Sequence, residues 1–117
     1  MTDTIFGKII RREIPAAIVY EDEDILGFRD IAPQAPVHVL FVPKHEPIPT
    51  LDDARAGHAA LLGRLMLAAA EYARREGLAQ DGYRVVMNCR DHGGQTVYHV
   101  HLHLLAGAPL GGFGAAR

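Results

Sequence analysis

The sequence predicts an α+β fold, a five-stranded antiparallel sheet with two helices, in one domain spanning residues 1–117. Three observations carry this expectation. Short β-compatible runs bounded by turn residues occupy both ends of the chain, and one long stripe of apolar residues at helical spacing lies between them. No repeat, low-complexity tract or linker divides the sequence. At 12.8 kDa the chain has the usual size of one domain. Burial of roughly 60–70% of the unfolded surface at this length supplies a core without disulfides, and the lone Cys89 excludes an intrachain bridge.

Thr4 caps a first helix in which Ile5, Phe6, Ile9 and Ile10 recur at helical spacing, before Pro15 ends it. Ile18 to Glu21 and Ile25 to Phe28 read as a hairpin across the acidic turn Asp22-Glu23-Asp24. Ala32-Pro33-Gln34-Ala35-Pro36 breaks regular structure, because each proline lacks a donor and restrains the residue before it. Val37 to Val42 is apolar on both faces except at His38, the pattern of a central strand. The second helix is expected from Leu51 to Glu76, capped by Thr50, with acidic Asp52 and Asp53 at its start, Arg74 and Arg75 at its end, and Gly77 to stop it. Its stripe of Leu51, Ala54, His58, Leu61, Leu62, Leu65, Ala69, Tyr72 and Ala73 faces a sheet. Two last strands are expected at Tyr83 to Asn88 and Val97 to Leu105, joined by the glycine-bearing turn Cys89 to Thr96. A tail of about residues 108–117 follows.

A net charge of −2 and a pI near 6.4 leave no basic footprint for nucleic acid or an anionic membrane. Charged residues interrupt the apolar pairs of the first fifteen positions, which argues against a targeting segment. The run from Leu61 to Ala70 is broken by Arg64 and too short to span a bilayer. A cytoplasmic location is the expectation, compatible with a free thiol.

Chemistry concentrates in the histidines, seven against one cysteine. In the strand Val97 to Leu105, alternation puts His99, His101 and His103 on one face, ~6.6 Å apart at roughly 3.3 Å of rise per residue, a spacing that suits a phosphoryl group and its substituents. Upstream, Gly93-Gly94-Gln95-Thr96 allows positive φ, and its amides and the Thr96 hydroxyl can face an anion. A half-buried strand gains nothing structural from repeated polar rings that each need a partner. Zinc is the competing reading, since alternate strand positions can converge on one ion at about 2.0–2.1 Å. Against it stand the anion-suited turn and the lack of a cysteine cluster or His-Glu-x-x-His helix. His45, His58 and His92 read as ordinary surface or core residues.

Tyr98-His99-Val100-His101-Leu102-His103-Leu104-Leu105 resembles the signature of the histidine-triad family, and Gly93-Gly94-Gln95-Thr96 is similar to its loop. Asp3 to Ile10, Phe28 to Pro36 and Tyr83 to Asn88 resemble the family's nucleotide-binding Hint branch, so the likeness extends to Gly107. This resemblance implies a homodimer with sheets joined across the two copies, a purine nucleotide pocket, and hydrolysis of nucleoside phosphoramidates to a nucleoside monophosphate and an amine. By position it implies His101 as nucleophile with His38, His99 and His103 around it. It implies Asp30 on the ribose hydroxyls, Phe6, Ile9, Phe28 and Ile31 around the base, and Asn88, Gly94, Gln95 and Thr96 at the ribose and phosphate. No cofactor is required. A backbone carbonyl and the His38/His99 pair are expected to hold the His101 tautomer, with His103 stabilising phosphoryl charge and the Thr96 hydroxyl relaying a proton. Two other readings use the same row: a dinucleoside polyphosphate hydrolase, and a non-enzymatic nucleotide- or zinc-binding regulator. Thr96 replaces the serine of many relatives, and the tail lacks the tryptophan that some place near the partner's site.

Overall fold

The computed structural model describes residues 3–112. Its five strands, β1 (Ile18–Glu21), β2 (Ile25–Arg29), β3 (Val37–Pro43), β4 (Arg84–Val86) and β5 (Leu102–Ala106), form one antiparallel sheet in the order β1-β2-β3-β5-β4. Three helices accompany it: α1 (Ile5–Ile10), α2 (Ala59–Arg75) and the single turn α3 (Arg90–Gly93), the last of which occupies the expected glycine-bearing loop. Among the described residues no helix is long and apolar enough to cross a membrane.

The hairpin turns on Asp22, whose Oδ1 accepts from the backbone N–H groups of Asp24 and Ile25 at 2.8 Å. β3 lies at the centre, paired with β2 on one side and β5 on the other. Its alternation gives each sheet face a core. Val39 and Phe41 join Ile25, Leu102 and Leu104 beneath Leu65, Ala68, Ala69 and Tyr72 of α2. Leu40 and Val42 join Leu26 and Phe28 beneath Phe6 and Ile9 of α1. One face is thus covered by a seventeen-residue helix and the other by a six-residue one. The histidine row stands on the thinly covered face.

Several boundaries differ from the sequence expectation, each for an identifiable reason. α1 stops at Ile10 rather than near Pro15, because Glu13 N–H donates to Lys8 O and Arg12 N–H to Ile9 O with Arg12 at φ 62°, a left-handed helix stop formed without glycine. The long helix begins at Ala59, not Leu51. Asp53 accepts from both Thr50 N–H and Thr50 Oγ1, closing a short 3₁₀ turn at Leu51–Asp53, and Arg55 N–H donates to His58 Nδ1 to close a second at Ala56–His58. The capping signals are therefore consumed by the lead-in turns. Its C-terminal end matches expectation, with Gly77 at φ 73° and Leu78 N–H on Ala73 O. The last strand starts at Leu102 instead of Val97, since β3 offers no ladder partner beyond the Phe41–Leu102 pair. The preceding segment bonds a loop instead, through Val100 N–H to Ile48 O at 2.6 Å.

Gly27 has no room for a side chain: an added Cβ would lie 2.8 Å from the Phe41 ring and 3.0 Å from Tyr20 Cβ. Substituting Gly27→Ala is expected to lower unfolding free energy by about 1–3 kcal/mol, read by urea denaturation, as overpacking of a filled core does. An unchanged denaturation midpoint would show that the Phe41 ring yields freely.

Candidate active site

Side chains from five segments meet on the α1 face of the sheet. β3 supplies His38 and β5 supplies His103. The irregular segment before β5 supplies His99 and His101, α1 brings Phe6, and the end of β2 leads into Asp30. His38, His99 and His101 are buried and His103 is half-buried. Buried ring nitrogens need partners, and almost all of these have one.

His99 donates from Nε2 to Pro43 O at 3.2 Å, so its Nδ1 is an acceptor, and Thr4 Oγ1 lies 3.2 Å from it. Gln34 N–H donates to His38 Nδ1 at 3.0 Å. That leaves the His38 proton on Nε2, which donates to His103 Nδ1 at 2.9 Å and leaves the His103 proton on its own Nε2. His101 has the opposite tautomer. Its Nδ1–H donates to the His99 carbonyl at 2.7 Å, which places the lone pair on Nε2 with no protein partner among the described residues. The expected carbonyl is therefore that of His99, whereas His38 serves His103 and not His101. The β3–β5 register explains this, because His38 faces Leu105 and Leu40 faces His103, setting the two rings diagonally on one face.

Burial depresses all four imidazoles below their usual 6.5. His103 is pushed down furthest, to about 4, first by burial and then by His101 and His38 beside it. All are neutral at neutral pH, so the 3.5 Å approach of Asp30 Oδ2 to His38 Nε2 is a contact between a carboxylate and a neutral ring. Phe6 sets its ring against His101 edge to face, with centroids 4.9 Å apart and planes at 87°.

The other candidate residues divide. Phe6, Ile9 and Phe28 pack together, but Ile31 is 96% exposed and stands apart from them. Asp30 folds into a local turn, its Oδ1 accepting from Ala32 N–H at 2.8 Å, and its other oxygen faces the imidazoles. Asn88 is half-buried under Gly93. The amides of Gly94 and Gln95 are already donated to Asp91 O and Arg90 O, so they cap α3. The buried Gln95 side chain accepts from Arg90 N–H and donates to Pro49 O and Val97 O. It braces the loop against the histidine segment. Thr96 is exposed, and its N–H and hydroxyl have no partner among the described residues. Of the remaining histidines, His45 bonds Glu23 O and His58 caps its own turn.

Asp30, His38 and His103 each present a ligand atom within 4.8 Å of the others, a set whose N and O donors suit zinc. To share an ion, His38 would have to release the Nε2 proton it now donates to His103. His101 keeps its lone pair outside that set.

The HIT domain family model matches residues 11–110. A purine nucleoside phosphoramidase of Escherichia coli strain K12 is 57% identical over 109 residues, covering 93% of this chain and 91% of that protein. A 14 kDa zinc-binding protein of Brassica juncea is 50% identical over 92% of this chain and 96% of its own length. A crystal structure of a HIT family hydrolase from Legionella pneumophila superposes with a TM-score of 0.88 at 48% identity, covering 92% of this chain and 95% of that one.

The depressed imidazoles fix the sign of a pH effect. The unfolded chain binds protons first as pH falls below 6.5, so stability present above that value is lost progressively toward about 4. Urea midpoints are expected to drop across this window, less steeply in His103→Gln, and NMR titration should find the His103 ring neutral down to about pH 5. A His103 transition near its ordinary value would contradict the burial argument.

Proposed function

The chain belongs to the HIT domain family, and from that membership and the His101 geometry we propose that it is a hydrolase that cleaves the P–N bond of purine nucleoside phosphoramidates. The observation that carries this reading is that His101 alone among four clustered imidazoles keeps a ring-nitrogen lone pair without a partner among the described residues. His101 Nε2 attacks the α-phosphorus, the P–N bond breaks, and the amine leaves with a proton. A nucleotidyl-histidine remains, from which water releases the nucleoside monophosphate and restores the imidazole. The carbonyl of His99 supports the nucleophile throughout: as positive charge develops on the His101 ring, the Nδ1–H···O bond strengthens. His103 offers its Nε2–H, and Thr96 its N–H and hydroxyl, to the nonbridging oxygens and the leaving group. Asp30 takes the ribose hydroxyls, and Phe6, Ile9 and Phe28, which pack together beside the imidazoles, are the apolar residues that take the purine. No metal is needed for these steps. The working unit is a homodimer in the cytoplasm, an arrangement supported by the short, open edge of β4 and by exposed Met66 and Leu67 on α2.

The Asp30, His38 and His103 set favours one second reading, a nucleotide- or zinc-binding regulator without turnover. A dinucleoside polyphosphate hydrolase would use the same nucleophile on a phosphoanhydride, and relative kcat/KM on the two substrate classes separates it from the phosphoramidase.

Replacing His101→Asn is expected to lower kcat on an adenosine phosphoramidate by roughly 10³-fold or more while AMP still binds. Mass spectrometry of quenched wild-type turnover should find a nucleotide on the peptide containing His101. Surviving turnover in the variant would remove His101 as nucleophile. Chelator-treated, metal-free wild type is expected to keep full activity; tight stoichiometric zinc without turnover would favour the regulator.

A further inference from the structure

We infer that Thr4 is a positioning residue for the nucleophile, its hydroxyl coupling the first helix to the histidine row. The hydroxyl lies between two partners. It accepts the Gly7 N–H at 3.1 Å, which caps α1, and it stands 3.2 Å from His99 Nδ1. Because His99 Nε2–H is committed to Pro43 O, Nδ1 can only accept, so the Thr4 O–H donates to it. Ser, Thr and Asp all cap helices through a side-chain oxygen, but of these three only the hydroxyls can donate from that same oxygen.

Two paths run from this hydroxyl to His101. Through the backbone, a fixed His99 ring holds the residue whose carbonyl accepts the His101 Nδ1–H at 2.7 Å. Through α1, the capped first turn carries Phe6, whose ring meets His101 at 4.9 Å and Phe28 at 5.4 Å. The same bond therefore ties the helix that carries Phe6 and Ile9 to the orientation of the attacking imidazole. A cavity of about 200 Å³ adjoins Thr4 and His99. Truncation to alanine would let water take the place of the hydroxyl, so the informative substitutions keep the volume.

The inference rests on the phosphoramidase reading only for its kinetic arm; the spectroscopic arm stands without it. Thr4→Ser keeps cap and donor, Thr4→Asp keeps the cap but as a carboxylate cannot donate, and Thr4→Val keeps neither. With an adenosine phosphoramidate, kcat is expected within about twofold of wild type for Ser and about tenfold lower for both Asp and Val, with AMP affinity changed much less. Thr4→Asp should melt near the wild-type temperature. Ring ¹⁵N NMR should place the wild-type His99 proton on Nε2, with Nδ1 hydrogen-bonded, and should show the Nδ1 resonance altered in Asp and Val but retained in Ser. Wild-type activity in Thr4→Asp would reduce Thr4 to a helix cap, and a wild-type His99 proton on Nδ1 would overturn the inference without any variant. If no enzyme form turns over the substrate, the phosphoramidase reading fails and the spectra alone decide the Thr4 bond.

Discussion

The hydrogen bond from His101 Nδ1 to the His99 carbonyl governs the site, since it makes one imidazole the opposite tautomer of its three neighbours. Two residues apart on an extended chain, a ring and a carbonyl meet only where the backbone leaves the ladder, and the bend at residues 97–99 provides that departure. A continuous strand would have directed the His99 carbonyl toward a ladder partner. Pairing ends at Leu102, so His101 lies just outside regular structure while His103 lies just inside it. The sheet supplies rigidity, and the irregular segment supplies the geometry.

Neutrality follows from the same arrangement. An imidazole row on an open surface would titrate near its ordinary value and lose nucleophile to protonation in mildly acidic conditions. Covering the row with Phe6 and packing it against Leu26, Leu40 and Val42 removes water, which favours the uncharged rings. Burial then requires partners for the ring nitrogens: all but His101 Nε2 and His103 Nε2 have one among the described residues, and Gln34 N–H, Pro43 O and Thr4 Oγ1 serve three of them. Gln34 lies in a loop, Thr4 is a cap and Pro43 ends β3, positions where small shifts can tune the network without disturbing the centre of the sheet.

Much of the fold was legible because apolar periodicity reports burial directly. The face of α2 with Leu65, Ala69, Tyr72 and Ala73 and the alternating β3 were readable in this way. The stops were harder. Arg12 ends α1 in a conformation usually signalled by glycine, and Thr50 caps a 3₁₀ turn that ordinary capping rules do not distinguish from a long helix. At the site, residue types and spacing disclosed the four histidines, but their partners were mostly backbone atoms, which carry no sequence signature. Thr4 read only as a cap, because its second bond spans ninety-five positions. Gln95 read as a ligand residue, whereas its amide is spent bracing backbone groups on both sides of the loop.

The unequal covering of the two sheet faces has an evolutionary consequence. The α2 side holds the larger core and carries no active-site side chain, while Phe6 and Ile9 sit on a helix of under two turns. Substitutions in that short helix can change the apolar contacts beside the imidazoles while the load of folding stays with the opposite face. Selection for new substrates is thereby separated from selection for stability, and the constrained positions shrink to the few that tie the helix back to the imidazoles.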